Sequence, residues 1–143
     1  MMMMTTTTSV LFACAAMLLL VCIVSARLIA VRAKESSEKR LHPQKLANSK
    51  QVAELLPRST QVSDNYRNLF ELPVLFYLLC ALIVGTHTES AVLTYGVWFF
   101  VALRYAHSFI HCTYNKVMHR FPVFAAGFGV LLVLWFNFLK NQL

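Results

Sequence analysis

Four polar side chains recur along one apolar segment at a spacing that places them on a single helical face. They stand at offsets of 0, 3, 7 and 10, as Arg104, His107, His111 and Tyr114. An arginine and two histidines are costly inside a membrane, so this stripe is expected to face a bundle interior or a subunit interface. For either histidine taken alone, the simpler interpretation is a hydrogen bond in a packed core.

A metal site is an alternative use of the same histidines. His107 and His111 have the i,i+4 spacing of two ligands on one helix, and Glu71 could add a carboxylate. The sequence lacks a second acidic ligand for such a site. We therefore predict no metal here.

A second polar group stands at the start of another apolar segment. Arg67 and Glu71 are four residues apart, and Asn68 and Glu71 are three apart, so a continuous helix would put all three on one face. This pattern is also typical of an ion pair that closes a helix start. Pro73 favours the functional interpretation, because a proline in the first turns frees backbone carbonyls and opens a polar pocket.

A third group, Asn115, Lys116, His119 and Arg120, is expected at the end of the helix that carries the stripe. Lys116 and Arg120 repel each other at i,i+4, and an anionic ligand or lipid headgroup would relieve that repulsion. The alternative is that both side chains snorkel to lipid phosphates.

Antiparallel packing of neighbouring helices would bring the second and third groups to the same depth. Arg67, Asn68, Glu71 and Arg120 would then converge. Such a site offers arginines for carboxylates and a glutamate for an ammonium group. It suits a zwitterionic, carboxylate-rich ligand beside an apolar crevice.

The composition indicates that these groups belong to a membrane protein. Of the 143 residues, 58% are hydrophobic and 13% are charged, and the mean hydropathy is +0.60. A soluble domain carries about 25% charged residues, so an ordinary soluble fold is excluded. Thirteen Lys and Arg against six Asp and Glu give +7, which we interpret as a topology signal rather than as nucleic-acid binding.

Four apolar segments predict an all-α fold, namely a bundle of four transmembrane helices in one domain over residues 1–143. Helices are expected at about 10–33, 66–86, 91–117 and 121–139, with a loop at 34–65 that could hold a short amphipathic helix around 44–56. A cleavable signal peptide is less consistent with the first segment, which lacks a preceding basic region. The short links after residue 86 make consecutive helices antiparallel neighbours.

The distribution of basic residues predicts the orientation. Residues 27–67 hold nine basic and four acidic residues, and the link near Lys116 to Arg120 is also basic. Both basic stretches would lie on one side of a four-span bundle. We expect that side to be cytoplasmic and both termini to lie on the opposite side.

The four cysteines show no metal-binding or redox spacing. Cys14, Cys22, Cys80 and Cys112 each lie in an apolar stretch, and none forms a CxxC pair. We interpret them as small hydrophobic residues in lipid or in the bundle core.

Two motifs resemble the family of membrane-associated proteins in eicosanoid and glutathione metabolism, the MAPEG family. The first is Arg67-Asn68-x-x-Glu71-x-Pro73-Val74-Leu75-Phe76-Tyr77, and the second is Arg104-x-x-His107-x-x-x-His111-x-x-Tyr114-Asn115-Lys116, with Arg120 sixteen residues after Arg104. The residues of the two motifs are most similar to those of the little-characterised, bacterial-type branch of that family. The resemblance implies four transmembrane helices per subunit, a homotrimer, and glutathione bound between neighbouring subunits toward the cytoplasmic side.

The same resemblance implies roles for individual residues. Asn68 and Glu71 would hold the glutathione backbone and its glutamyl amine, and Arg67 would meet a carboxylate. Arg120 falls where catalytic members hold the thiol, and its charge would favour the nucleophilic thiolate. The remaining members of the expected glutathione-binding set line the site from the third helix: Arg104, His107, His111 and Tyr114.

Two positions depart from the family pattern. Asp64 stands where glutathione-using members carry an additional arginine, and an acid there would repel a carboxylate. His111 replaces an aromatic hydroxyl, with Tyr114 a turn further on. These differences bear on glutathione affinity rather than on the fold.

The sequence thus predicts a glutathione-dependent membrane transferase or peroxidase that acts on lipophilic electrophiles from the bilayer, with itself and membrane lipids as partners. The alternative is a non-catalytic member that keeps the fold and a lipid- or small-molecule-binding pocket. A proton or ion carrier built on the histidines is a third interpretation, but the sequence shows no inverted repeat.

Overall fold

The computed structural model describes residues 5–143, and all of its regular structure is helical. The elements are α1 (Thr6–Glu38), a 3-10 turn (Pro43–Leu46), α2 (Ser49–Leu55), α3 (Pro57–Asn68), α4 (Leu72–Thr86), α5 (Ala91–Cys112) and α6 (Val117–Lys140). The all-α prediction is confirmed. Residues 1–4 of the expected domain lie outside the described part of the chain.

Helix α1 begins earlier and ends later than the expected 10–33. Its 33 residues give a length of about 50 Å, more than a hydrocarbon core of about 30 Å requires. Thr5 caps its N-terminus by accepting from the backbone N–H of Thr8. Glu89, from the link before α5, accepts from the backbone N–H of Thr6 at 2.9 Å, and this bond holds the pKa of Glu89 below its usual range.

The segment 34–65 is largely helical, so the prediction of a loop there is wrong. Helix α3 begins at Pro57, and Leu56 before it has no side chain that could cap the helix. Glu35 of α1 provides the cap instead, because its carboxylate accepts from the N–H of Ser59 at 3.0 Å and of Arg58 at 3.4 Å. This buried contact attaches α3 to α1 and stabilises the first turn of α3.

A break separates α3 from α4, where a continuous helix over 66–86 was expected. Pro73 has no N–H to donate to the carbonyl of Leu69, and its ring would collide with that carbonyl in a regular helix. Residues 69–71 form a turn instead, in which the N–H of Phe70 bonds to the carbonyl of Arg67 at 2.8 Å. The proline therefore redirects the chain at this motif.

Helix α5 packs against α1, α3 and α6. Helices α5 and α6 approach closely at two glycines, since a Cβ at Gly96 would lie inside 3.0 Å of Leu134 and one at Gly127 inside 3.0 Å of Arg104. Helix α5 ends at Cys112, five residues before its expected end, and α6 begins at Val117 rather than at 121. The basic group around Arg120 thus opens α6 instead of closing the preceding helix.

Three helical segments among residues 5–143 are long and apolar enough to cross a membrane. These are Thr6–Glu38, the α3–α4 unit Pro57–Thr86, and Val117–Lys140. Helix α5 has 22 residues but is not among them.

Candidate functional site

Arg104 lies in the interior of the fold. Its side chain is 1% exposed, and its guanidinium lies between the rings of Phe100 and Phe124, 5.4 and 5.2 Å from their centroids. Nη2 donates to the backbone carbonyl of Phe124 at 3.3 Å, and Nε has no hydrogen-bond partner. Gly127 faces the guanidinium, where a Cβ would collide with Nη2. Helix α6 therefore accommodates this arginine by its backbone and aromatic rings rather than by a carboxylate.

His107 and His111 follow Arg104 on the same buried face of α5. Each is 3% exposed, and their rings lie 5.6 Å apart in an edge-on arrangement. Among residues 5–143, neither ring nitrogen of His107 has a hydrogen-bond partner, and Nδ1 of His111 also has none. Buried polar atoms are usually paired, so this cluster holds unused hydrogen-bonding capacity.

A cleft of about 200 Å³ brings together side chains from three helical segments. Asn68 from the end of α3, His107 from α5 and Arg120 from α6 form its polar part. Nη1 of Arg120 donates to Oδ1 of Asn115 at 2.6 Å, which fixes one edge of the guanidinium. The rest of the lining is apolar: Val117, Phe121 and Phe124. We call this the Arg120 cleft.

Arg67 lines a second cleft, of about 440 Å³, on the polar side of the bundle. It shares this cleft with Arg32 of α1, Lys50 of α2 and Asp64 of α3. The two adjacent residues Arg67 and Asn68 thus belong to two different clefts. Asp64 places a carboxylate among these three cations.

Glu71 and Tyr114 depart from the expected arrangement. Glu71 follows the helix break, is exposed, and lines neither of these clefts. Within residues 5–143, no cation lies within salt-bridge distance of Glu71, so the helical ion pair with Arg67 does not form. Tyr114 lies beyond the end of α5, is 49% exposed, and places its hydroxyl 3.3 Å from Nδ1 of His119. The buried stripe therefore contains three of the four expected residues.

The described residues contain no group of three or more His, Cys, Asp and Glu side chains that could hold a metal ion. The metal alternative required Glu71 to join His107 and His111. Glu71 is exposed, whereas both histidines are buried. The geometry gives no support to a shared metal.

Comparison with known proteins identifies the family. The sequence model of the MAPEG family matches residues 9–140, nearly the whole chain. The chain belongs to the MAPEG family. No curated protein and no solved structure matches it. Together with its three membrane-capable helices, family membership makes this chain an integral membrane protein.

In this MAPEG protein, Asn65 is a buried polar residue beside the candidate site that the sequence analysis did not single out. It is fully buried, donates from Nδ2 to Sγ of Cys112 at 3.3 Å, and accepts from the hydroxyl of Ser108 at 3.3 Å. These bonds attach α3 to the last turn of α5, next to His111. The sequence feature that could have pointed to Asn65 is its position one helical turn before Asn68.

Gln61 makes a second connection between the same helices of the MAPEG fold. Its Nε2 donates to the backbone carbonyl of His111 at 2.7 Å. Arg27 of α1 donates to the neighbouring carbonyl of Cys112 at 2.6 Å. The end of α5 is thereby fixed from two sides by side chains that satisfy its last carbonyls.

Proposed function

We propose that this MAPEG protein is a glutathione-dependent membrane transferase or peroxidase that acts on lipophilic electrophiles. The observation that carries the proposal is the Arg120 cleft, where an amide, an imidazole and a guanidinium share one cavity with apolar side chains. Polar groups can bind and activate a small peptide thiol there, and the apolar wall can receive a substrate from the bilayer. Family membership is consistent with this chemistry.

Arg120 would act as the catalytic residue through its charge. A free thiol has a pKa of about 8.5, and a nearby guanidinium favours the thiolate, which is the nucleophile. One edge of Arg120 is held by Asn115 at 2.6 Å, so the guanidinium needs little reorganisation to meet the developing charge. Holding both substrates in one cleft would supply the rest of the rate enhancement.

The other candidate residues would bind and orient glutathione as the co-substrate. Asn68 offers both donors and acceptors to the peptide backbone, and Arg67 in the adjacent cleft offers a bidentate partner for a carboxylate. Glu71 would bind the glutamyl amine from its exposed position. The third-helix set would line the site, with the unpaired nitrogens of His107 available to the ligand: Arg104, His107, His111 and Tyr114.

We also propose four membrane spans and a homotrimer. At about 1.5 Å per residue, the 22 residues of α5 cover roughly 33 Å, enough for a span. The polar residues Arg104, His107 and His111 lower the mean hydropathy of α5, but their side chains are buried in the fold. Exposed apolar side chains around the Arg120 cleft, Met118 at 82% and Phe121 at 66%, offer surface for neighbouring subunits or lipid. The basic segment 34–65 would be cytoplasmic and both termini opposite.

The test is the ultraviolet absorbance of bound thiolate when glutathione is added to the detergent-purified protein. We expect a thiolate signal in the wild type and its loss in Arg120→Ala. Lys116→Ala is the matched control, because it removes one nearby positive charge from a residue that does not line the cleft. A wild type without bound thiolate at millimolar glutathione would refute the proposal and favour a non-catalytic member of the family that binds lipids or other small molecules.

A further inference from the structure

Two cysteines from contacting helices share a cleft that is separate from the Arg120 cleft. Cys14 lies on α1 and is half-buried, and Cys80 lies on α4 and is buried. Both cysteines line one cleft of about 400 Å³, and their helices α1 and α4 are in contact. Neither cysteine is in a disulfide. A thiol pair differs chemically from a lone thiol because oxidation of one sulfur can be resolved by the other.

The surroundings of this pair determine which reagents can reach it. The cleft is otherwise apolar, lined by Val10, Leu11, Ala81, Val84 and Gly85, with Tyr77 as the only hydroxyl-bearing residue. Leu11 is 55% exposed on the outer face of α1, where an apolar side chain meets acyl chains. A reagent that reaches this cleft must therefore dissolve in the membrane.

We propose that Cys14 and Cys80 form a redox-active dithiol that is oxidised to a disulfide by a lipid hydroperoxide. The sulfur of Cys14 attacks the terminal peroxide oxygen, the O–O bond breaks, and Tyr77 passes the proton released by the Cys14 thiol to the departing alkoxide, which becomes a lipid alcohol. Cys14 is then a sulfenic acid. The sulfur of Cys80 attacks Cys14, and the hydroxyl of the sulfenic acid leaves with the thiol proton of Cys80 as water. The balance is two thiols and one hydroperoxide to one disulfide, one alcohol and one water.

The geometry assigns the two steps to different cysteines. Cys14 is the accessible partner, so it meets the hydroperoxide first, and buried Cys80 is positioned to resolve the sulfenic acid. Tyr77 lines the same cleft and can supply the proton to the leaving alkoxide.

The reaction can be tested in phospholipid nanodiscs with a phospholipid hydroperoxide as the only oxidant and without glutathione. We expect each protein chain to convert one equivalent of hydroperoxide to the alcohol. Mass spectrometry of unreduced peptides should show a disulfide between Cys14 and Cys80. Because this readout uses the wild-type chain and omits glutathione, its result is independent of the proposed transferase activity.

The other cysteines provide matched controls. Cys22 is exposed on the same helix α1, so accessibility alone would make it the preferred target. We expect Cys22→Ala to react like the wild type, Cys14→Ala to lose at least about tenfold in rate, and Cys80→Ala to stop at a sulfenic acid on Cys14 that dimedone traps. A free Cys14–Cys80 pair after exposure to excess hydroperoxide, or oxidation confined to Cys22, would overturn the proposal.

Discussion

At the level of single residues, the fold contains a guanidinium with no carboxylate partner among residues 5–143. Arg104 is held by one carbonyl and two aromatic rings, and the two histidines beside it keep unpaired nitrogens. An unpaired buried charge is strongly unfavourable for a fold. An anionic ligand or a group from a neighbouring subunit would lower that cost. We therefore interpret the cluster as part of the binding machinery rather than as core packing.

Gly127→Ala tests whether the position of Arg104 matters for binding. The new Cβ would lie inside 3.0 Å of Nη2, so Arg104 or α6 must move. We expect a loss of about 1–3 kcal/mol in stability, typical of overpacking, and a weaker thiolate signal with glutathione. Thermal unfolding and thiolate absorbance measure the two effects.

Gly129→Ala is the matched control two residues further along α6. A Cβ there meets nothing within 4 Å, so the substitution should be neutral or slightly stabilising. Equal destabilisation by both substitutions would contradict the role assigned to Gly127.

At the level of elements, α3 depends on a cap that comes from another helix. Glu35 is 3% exposed and accepts from the first N–H groups of α3, and Arg32 adds a 3.0 Å bond from Nε to the hydroxyl of Ser59. These contacts attach the start of α3 to α1 and determine where α3 begins. The position of Asn68 in the Arg120 cleft follows from that attachment.

Glu35→Gln should loosen the start of α3. The amide is a weaker acceptor and loses the favourable charge at the helix N-terminus, so we expect a loss of about 1 kcal/mol. Hydrogen exchange at the amides of Arg58 and Ser59 should accelerate. Glu38→Gln is the control, since its ion pair with Arg58 at 3.5 Å is exposed and should contribute little. Unchanged exchange in Glu35→Gln would show that the cap is dispensable.

The N-terminus of α1 has a similar cap that depends on pH. The N–H of Thr6 lowers the pKa of Glu89 from 4.5, so the stabilisation is complete above that value and is lost as the pH falls through the lower, folded pKa. The protection factor of the Thr6 amide, which corrects for the intrinsic pH dependence of amide exchange, should therefore fall on acidification in the wild type. In Glu89→Gln the exchange should be faster at neutral pH and should lack this pH step. A step of equal size in both proteins would exclude Glu89 as its source.

The sequence predicted best where the backbone is regular. Arg104, His107 and His111 share a buried face because α5 is an uninterrupted helix through all three. Helical spacing did not extend to Tyr114, because the chain leaves α5 after Cys112.

Helical spacing gave wrong predictions where the chain turns and where a helix is capped by a residue distant in sequence. Arg67 and Glu71 separate because Pro73 breaks the helix between them, although the proline itself was visible in the sequence. Helix α2 lies within the range 44–56 where a short amphipathic helix was allowed, but most of α3 was expected to be loop. The cap of α3, Glu35, comes from another helix, and local composition carries no information about such a contact.

At the level of the whole molecule, one chain already gathers part of the proposed site. Asn68, His107 and Arg120 line one cleft within a single chain. Glu71 is exposed and lies outside that cleft, so we propose that it binds the glutamyl amine of a ligand held by a neighbouring subunit. The proposed homotrimer would therefore combine Asn68 and Arg120 of one subunit with Glu71 of the next.

Trimers that contain two different variant chains can test this assignment of Glu71 to one subunit and of Asn68 and Arg120 to another. Chains with Glu71→Ala and chains with Arg120→Ala are each expected to lack transferase activity alone. Co-expression should restore part of the activity, because some boundaries then pair an intact Glu71 with an intact Arg120. Co-expression of Asn68→Ala with Arg120→Ala should restore none, since those residues act within one chain. Rescue of the second pair, or no rescue of the first, would contradict this assignment of residues to subunits.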